Sequence, residues 1–349
     1  MLERPAAVGR SLNDSIRYPK GKPHMNIKTI RIAAGLALLA ATGAPAMAQE
    51  NWPARPITMV VPFPPGGVAD TVGRPVAQAL SRELKQSVVV ENKAGAGGAI
   101  GMGAVAKAAP DGYTVLMSLA SMTTIPEADK LNNRNSLFQL SQLKPIARIT
   151  ADPTVLVVRA DAPWKTVQDF VKDVRSAPGK YSFASSGNYG TMHVPMEMLK
   201  ANQKLRILHV PYTGAGPALI ALLGGQVDAV STGPASVLQH IKGGKLRALA
   251  HWGDGPLASL PGVPSLKQSG YPVEYAQWSG LFVPAGTPDA VVEKLRVAAR
   301  RAAEDPALKQ SIGAAGSPVM FMDTPQFQEY VNADARKMAE VVRNIGKVD

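Results

Sequence analysis

The sequence contains no cysteine, which excludes disulfide bonds, thiolate metal sites and cysteine nucleophiles. Aromatic residues are few, at 5% of the 349 residues, and charged residues make up 18%. With 46% hydrophobic residues, the composition is that of a folded globular protein large enough for two compact lobes. The 32 glycines and 29 prolines are scattered without a period, which is typical of turns in an α/β chain.

Sequence signatures of catalysis and of cofactor binding are also absent. The chain has no phosphate-binding G-x-x-x-x-G-K-[ST] loop and no G-x-S-x-G nucleophile elbow. A G-x-G-x-x-A match at residues 101–106 lies inside a predicted helix, whereas a dinucleotide fingerprint must directly follow a strand. No two histidines have the H-x-x-x-H spacing of a metal site. We therefore expect no metal and no cofactor.

Only one apolar run raises the question of a membrane, and it extends from Ile32 to Ala48. Basic residues, Lys28 and Arg31, precede the run, and the small-x-small sequence A-M-A ends it just before Gln49. The run is shorter than the roughly 20 apolar residues of a stable membrane span. This pattern predicts a signal peptide within a leader at residues 1–48, and hence export to the periplasm.

Residues 1–24 are polar and basic, which is unusual in front of a signal peptide. We therefore predict that Met25 is the true start; a long natural n-region is the alternative. Seven Lys or Arg and two Asp or Glu residues lie before Gln49, so the formal net charge of +12 falls to +7 for the remaining chain. A net positive charge of this size is consistent with an acidic ligand, or with charged residues that are simply exposed to solvent. The basic residues are dispersed and not interleaved with aromatics, so no nucleic acid partner is expected.

Beyond the leader, strand patterns alternate with helix patterns. The strand Ile57–Val61 leads into a turn at 62–67, and apolar residues then recur every four positions from Val68 to Leu84, which predicts a helix. Pro75 is expected to kink this helix or to delay its start. The pattern continues with a strand, a glycine loop, a helix and a strand at residues 87–90, 91–98, 99–108 and 114–118. This order predicts a parallel, doubly wound sheet.

A second series of strands and helices begins after residue 146, and a strand at 275–284 returns the chain to the first. We predict two α/β lobes joined by two hinge crossings, near residues 150 and 278. Trp278 is expected to pack at the second hinge. The predicted boundaries place residues 49–149 and 279–349 in lobe 1 and residues 150–278 in lobe 2.

The functional signal lies in four strand-to-helix loops, at residues 63–67, 94–98, 185–191 and 212–215. In an open parallel sheet, ligands bind at the carboxyl ends of the strands, where such loops lie. Glycines allow close approach of backbone N–H groups, and helix N-termini present unpaired donors, so the matching ligand is an anionic carboxylate. The alternative is that the glycines only make tight turns.

Individual residues near these loops have two interpretations each. Phe63 and Tyr212 could pack on a ligand or merely fill the cleft. His193 could donate to an anion or be a buried imidazole with satisfied hydrogen bonds. Asp70, in the first turn of its helix, is expected to complement the helix dipole rather than contact the ligand.

Seven motifs follow one another along nearly the whole chain beyond the leader. They are R-P-I at 55–57, V-V-P-F-P-P-G-G at 60–67, V-E-N-K-A-G-A-G-G at 90–98, A-P-D-G-Y-T at 109–114, H-V-P-Y-T-G at 209–214, L-G-G-Q-V-D at 223–228 and P-A-G-T-P at 284–288. Taken in order, the motifs are specific, and the sequence resembles the Bug receptors, the substrate-binding proteins of tripartite tricarboxylate transporters.

The resemblance implies a two-lobed periplasmic-binding-protein fold of the Venus-flytrap, type II-like kind, with two hinge crossings. It also implies a small carboxylate ligand held between the lobes and delivered to a membrane permease of a tripartite carboxylate transporter. We expect a monomer. The ligand-binding positions implied by the resemblance, or suggested by the loops, are Phe63, Gly66, Gly67, Ala96, Gly97, Gly98, Ser118, Ser121, Ser185, Ser186, Thr191, His193, Tyr212, Thr213 and Gly214.

The sequence departs from the family pattern in two places. Residues 130–144 lack the Leu-Pro-Tyr-Asp-like stretch and the Asp-Phe that are usual there, and Ala99 stands where the family often has Asn or Thr. Ligand specificity on that side therefore stays open. The rival hypothesis is a periplasmic hydrolase or isomerase that uses Ser185 or Ser186 with His193 as its base, but no carboxylate is placed to orient that histidine.

Overall fold

The computed structural model describes residues 52–348, so the predicted signal peptide and the predicted start at Met25 lie outside the described residues. The described chain forms two β-sheets, each covered by helices, in a two-lobed α/β fold. Among the described residues no helix combines the length and the apolar composition needed to cross a membrane.

The first sheet combines strands from both ends of the described chain. Its strands are β1 (Ile57–Val61), β2 (Val88–Asn92), β3 (Thr114–Leu119), β4 (Leu143–Pro153), β10 (Ala276–Pro284) and β11 (Met322–Asp323). They lie in the order β11-β4-β10-β3-β1-β2. Strand β1 is parallel to β2 and β3, whereas β10 is antiparallel to β3 and β4.

The second sheet contains only strands from the middle of the chain. They are β5 (Val155–Arg159), β6 (Ser182–Ser185), β7 (Leu208–Pro211), β8 (Ala229–Thr232) and β9 (Leu246–His251), in the order β7-β6-β8-β5-β9. Strand β6 is parallel to β7 and β8, but β5 is antiparallel to β8 and β9. The parallel arrangement predicted for residues 57–118 is confirmed for β1, β2 and β3, but both sheets also contain an antiparallel strand. Strands β5 and β10 each follow a crossing between the sheets, so they enter the new sheet in the opposite direction.

Ten α-helices connect these strands in the described residues. They are α1 (Val68–Leu84), α2 (Ala99–Ala106), α3 (Ser121–Leu131), α4 (Val167–Ser176), α5 (Val194–Gln203), α6 (Ala215–Leu223), α7 (Pro234–Lys242), α8 (Asp289–Glu304), α9 (Pro306–Ala314) and α10 (Thr324–Ile345). Pro75 lies inside α1 and does not delay its start. Val72 and Val76 beside it are fully buried, so packing outweighs the lost backbone hydrogen bond.

The sequence pattern did not indicate α3, α7 or α9. Helix α3 contains Pro126 and a Ser/Thr-rich first turn, both of which weaken the apolar periodicity. The hydroxyl groups of Thr123 and Thr124 donate back to the carbonyls of Ala120 and Ser121. Helix α3 is held by tertiary packing against α10, which local sequence cannot reveal.

Both faces of the second sheet are covered. In β5, Val155 and Val157 belong to one apolar cluster, while Leu156 and Val158 belong to another on the opposite face. Helix α10 reaches the cores of both lobes, since Phe327 packs in the first-sheet core and Met338 packs in a second-sheet cluster. The domain boundaries near residues 150 and 278 stay predictions.

Candidate functional site

The glycine loops of the two lobes lie against one another. A Cβ atom on Gly214 would lie 2.2 Å from Cδ of Pro64, and a Cβ atom on Gly187 would lie 2.9 Å from the backbone nitrogen of Gly97. Real Cβ atoms do not approach so closely, so only glycine fits at these two contacts. Loops 63–67 and 94–98 of the first lobe thus face loops 185–191 and 212–215 of the second.

A buried cavity of about 10 Å³ lies between these loops, with just enough space for one water molecule. Residues of both lobes line it: Phe63, Gly67, Val68, Ala69, Leu119, Ser186, Thr191, Met192, Ala215, Thr232 and Gln277. Two polar atoms of this lining, Oγ of Ser186 and Oε1 of Gln277, are buried without a hydrogen-bond partner among the described residues. Buried polar atoms without hydrogen bonds raise the free energy of a folded protein, and they indicate a binding site for a polar ligand.

The first loop is held from within by Asp70. The backbone N–H of Gly66 donates to Oδ2 of Asp70 at 3.1 Å, and Nη2 of Arg74 donates to Oδ1 at 2.7 Å. Burial alone would raise the pKa of Asp70, but hydrogen bonds from Arg74, Asn92 and the Gly66 amide lower it below its usual value. Asp70 therefore shapes the loop. Phe63, which is buried, lines the cavity.

The second loop turns through consecutive left-handed residues. Ala96, Gly97 and Gly98 have φ angles of 48°, 65° and 106°. The hydroxyl of Ser121 donates to the Gly97 carbonyl at 3.0 Å and braces this turn. The hydroxyl of Ser118 donates to the carbonyl of Leu119, and neither serine lines the cavity.

The third loop is held by two histidines. Oγ of Ser185 lies 2.6 Å from Nε2 of His209, and the Gly187 N–H donates to the same oxygen at 3.1 Å. Nδ1 of His193 accepts from the Tyr189 N–H at 3.0 Å, which fixes a residue with a φ of 57°. His193 is fully buried beneath the loop, outside the cavity lining. Of this loop, the lining contains Ser186 and Thr191.

In the fourth loop, the Tyr212 N–H donates to the Ser185 carbonyl at 3.0 Å, which links the third and fourth loops. Tyr212 is half-buried and Thr213 is exposed, and neither lines the cavity. Gly214 contacts Pro64, and the following Ala215 lines the cavity. The structure thus brings four of the predicted residues to the cavity, namely Phe63, Gly67, Ser186 and Thr191.

Sequence reasoning missed Gln277 and Thr232 in the lining. Gln277 is a polar residue within the largely apolar strand β10, and its side chain is 2% exposed. Thr232 ends strand β8, at the carboxyl end where ligand contacts are expected. The polar residue in an apolar strand and the threonine at the end of a strand are both visible in the sequence, but only the packing of the lobes shows that these residues face the cavity.

The geometry does not assemble the catalytic triad that the rival hypothesis requires. The imidazole next to Ser185 is His209 rather than His193. The nearby carboxylate, Glu197, lies 3.3 Å from Nε2 of His193. Ser186 has no partner for its hydroxyl in the described residues. The nucleophile, base and orienting carboxylate are therefore not connected in the described chain.

The chain matches the family model "Tripartite tricarboxylate transporter family receptor" over residues 72–347. It is 33% identical to protein BugT of Bordetella pertussis over 325 residues, which cover 92% of this chain and 99% of BugT. The chain belongs to the tripartite tricarboxylate transporter receptor family. Among solved structures, the periplasmic binding protein BugD is 33% identical, with a TM-score of 0.79 over 84% of this chain and 98% of BugD.

A further solved structure of similar fold is that of MatC from Rhodopseudomonas palustris, determined with bound malate. It is 29% identical, with a TM-score of 0.77 over 83% of this chain and 100% of MatC. The predicted family and the two-lobed fold are thereby confirmed. Tripartite tricarboxylate transporter receptors are solute-binding proteins and not enzymes, so the hydrolase hypothesis has no support.

Proposed function

We propose that this receptor captures a small carboxylate between its lobes in the periplasm and delivers it to the membrane permease of a tripartite transporter. The observation that carries the proposal is the cavity between the lobes, in which Ser186 and Gln277 present polar atoms without protein partners among the described residues. Malate bound to MatC, a protein of the same fold, supports a carboxylate as the ligand class.

Two helix N-termini support a negatively charged ligand. Gly67 precedes α1 and Gly214 precedes α6, and no side chain caps either helix. The first residues of these helices, Val68 and Ala215, line the cavity. Uncapped N-termini combine free N–H donors with a partial positive charge, which favours an anion. Of the ligand contacts named from the sequence, we propose the four that line the cavity, Phe63, Gly67, Ser186 and Thr191, and we add Gln277 and Thr232. The other named positions stay predictions.

Ligand entry requires the lobes to separate. The cavity of about 10 Å³ has room for about one water molecule, so a carboxylate as large as malate cannot enter it while the lobes are in contact. Opening would break the contacts of Gly187 with Gly97 and of Gly214 with Pro64. We propose that residues 49–149 and 279–349 move against residues 150–278, as a hinge motion between the lobes.

The location and the assembly state are part of the same proposal. Residues 25–48 have the pattern of a signal peptide, which would export the protein to the periplasm. The similar protein BugD is described as a periplasmic binding protein. We propose that the mature receptor is a monomer. N-terminal sequencing of the exported protein should begin at Gln49, and light scattering should give the mass of one chain.

A ligand screen tests the proposal. Unfolding temperatures are measured with a panel of small mono-, di- and tricarboxylates, since a ligand that binds only the folded state raises its stability. X-ray scattering with the acid that binds should then show a more compact particle if the lobes close around it. The proposal is refuted if no acid of the panel binds while amines or sugars do.

A further inference from the structure

A second, larger hollow lies beside the contact between the lobes. Its volume is about 410 Å³, against about 10 Å³ for the cavity described above. Its walls include Ile125 of α3, Leu137 of the following segment, and Asn188 of the second lobe. Both lobes therefore build it, as they build the cavity.

The turn at residues 96–98 stands between the two spaces. On one side, a Cβ atom on Gly97 would lie 3.4 Å from Cδ1 of Ile125, which lines the hollow. On the other, a Cβ atom on Gly98 would lie 2.9 Å from Cζ of Phe63, which lines the cavity. The backbone contact of Gly97 with Gly187 completes the partition. A ligand that lies between Gly97 and Gly187 would separate them, so the cavity and the hollow can form one site in the ligand-bound receptor.

The lining of the hollow is largely apolar and carries no unbalanced charge. Ile125, Ala99 and Leu137 supply apolar surface, and Leu137 is 42% exposed. The charged groups of the lining, Arg134 and Asp129, pair with each other at 3.2 Å. Such walls favour a neutral, apolar group over a second carboxylate.

One polar atom adds specificity. Oδ1 of Asn188 is buried without a hydrogen-bond partner among the described residues, and Asn188 lines the hollow. A buried amide oxygen of this kind is stabilised by a donor, such as a hydroxyl or an N–H group on the ligand. The hollow thus offers an apolar wall and one acceptor.

We propose that the ligand places its carboxylate in the cavity and an uncharged, mainly apolar tail in the hollow. The favoured substrates are monocarboxylic acids with an extended alkyl or aryl tail rather than small di- and tricarboxylates. Segment 130–144, where the sequence departs from the family pattern, supplies Arg134 and Leu137 and so determines this preference. The inference rests on the proposed function and assigns its substrate class.

The test is calorimetric titration of the purified protein with acetate, butanoate, hexanoate and octanoate, and with succinate and citrate. Each methylene buried in the hollow should tighten binding by about fourfold. Octanoate should therefore bind more tightly than acetate, succinate and citrate. If succinate or citrate binds best and affinity does not rise along the series, the hollow is not a subsite, although the proposed function stands. If none of these acids binds, the proposed function itself has failed.

Substitutions in the wall of the hollow test whether the hollow causes the preference for octanoate over acetate. Leu137→Asp places a charge in the wall of the hollow and should reduce the octanoate-to-acetate affinity ratio by about tenfold or more. Ile220→Asp is the matched control, because Ile220 is also an exposed apolar residue, at 72%, but lies outside the hollow. Should Leu137→Asp fail to fold, Asn135→Trp occludes the hollow from an exposed position and should have the same effect on the ratio. An unchanged ratio in a folded variant overturns the proposal.

Discussion

The hydroxyl oxygen of Ser185 lies 2.6 Å from Nε2 of His209, in the strand next to it. The His209 ring stacks on Phe183, with ring centroids 4.8 Å apart, and the Gly187 N–H donates to the same hydroxyl. The imidazole thus fixes the turn that presents Ser186 to the cavity. Its role in this receptor is to position a loop.

Replacement of His209 tests this positioning role. His209→Phe keeps the stacking on Phe183 but removes the imidazole partner of the Ser185 hydroxyl, which retains its hydrogen bonds with Gly187. We expect the free energy of unfolding to fall by about 0.5 to 1.5 kcal/mol, and ligand affinity to fall roughly tenfold as the loop loosens. Urea unfolding measures the change in stability, and calorimetric titration measures the change in ligand affinity. His240→Phe, at a half-buried histidine away from the loops, is the control, and equal affinities for both variants would argue against the role.

The same histidine should make stability depend on pH. Burial, reinforced by neighbouring His193, lowers the pKa of His209 from 6.5 to about 3. As the pH falls, the His209 imidazole of the unfolded chain is protonated at a higher pH than that of the folded protein. The contribution of neutral His209 to folding stability is therefore fully present above pH 6.5 and is lost as the pH falls towards 3. The wild type should lose more stability than His209→Phe between about pH 7 and about pH 4 in urea unfolding. Parallel losses would show that His209 does not titrate in this way.

Asp152 should give folding stability the opposite pH dependence, so that its contribution falls as the pH rises. It is 4% exposed, its Oδ2 has no partner in the described residues, and burial raises its pKa from 3.8 to about 7. The folded state thus favours the protonated form, and this stabilisation is present below pH 3.8 and is lost as the pH rises through 7. Asp152→Asn should be more stable than the wild type at about pH 8, by up to roughly 4 kcal/mol, and similar to it at about pH 4.

The measurement for Asp152 is urea unfolding at both pH values. Asp161→Asn is the control, because it makes the same substitution at a carboxylate that is 73% exposed. Asp152 pairs across the sheet with Gln277, which lines the cavity, so ligand affinity of Asp152→Asn is worth measuring in the same samples. A variant less stable than the wild type at the higher pH would contradict the expectation.

Ser186→Ala should separate affinity from stability. The Ser186 hydroxyl has no partner in the described chain, so its removal should leave stability unchanged or slightly higher. The ligand would lose a hydrogen bond to a charged group, so affinity should fall by about tenfold to a hundredfold. Ser236→Ala is the matched control, since its hydroxyl is also buried and has no partner among the described residues but lies outside the cavity. Undiminished affinity in Ser186→Ala would remove Ser186 from the proposed site.

Gly187→Ala should prevent closure of the lobes. A Cβ atom at this position would meet the backbone of Gly97 at 2.9 Å. We expect an affinity loss of about tenfold or more, and no compaction in X-ray scattering when ligand is added. Gly179→Ala controls for backbone strain, because Gly179 also has a positive φ, of 77°, but nothing among the described residues lies within 4 Å of its Cβ position. Full compaction of Gly187→Ala with ligand would count against the hinge model.

Much of the local structure could be predicted from the sequence. The four-residue spacing of Val68 to Leu84 predicted α1, and alternating turns and β-branched runs placed most strands to within a few residues. The same local signals missed α3, whose proline and threonines hide its apolar face, because tertiary packing, chiefly against α10, stabilises it.

Local patterns in the sequence predicted the family, most of the strands and helices, and the glycine loops at which the two lobes could meet, because periodicity and backbone freedom are local properties. The three-dimensional fold was needed to show that β5 and β10 run antiparallel to their neighbours, that His209 rather than His193 holds Ser185, and that Gln277 faces the cavity. These relationships join residues far apart in the chain. They depend on how the sheets are placed against each other, which no local pattern encodes.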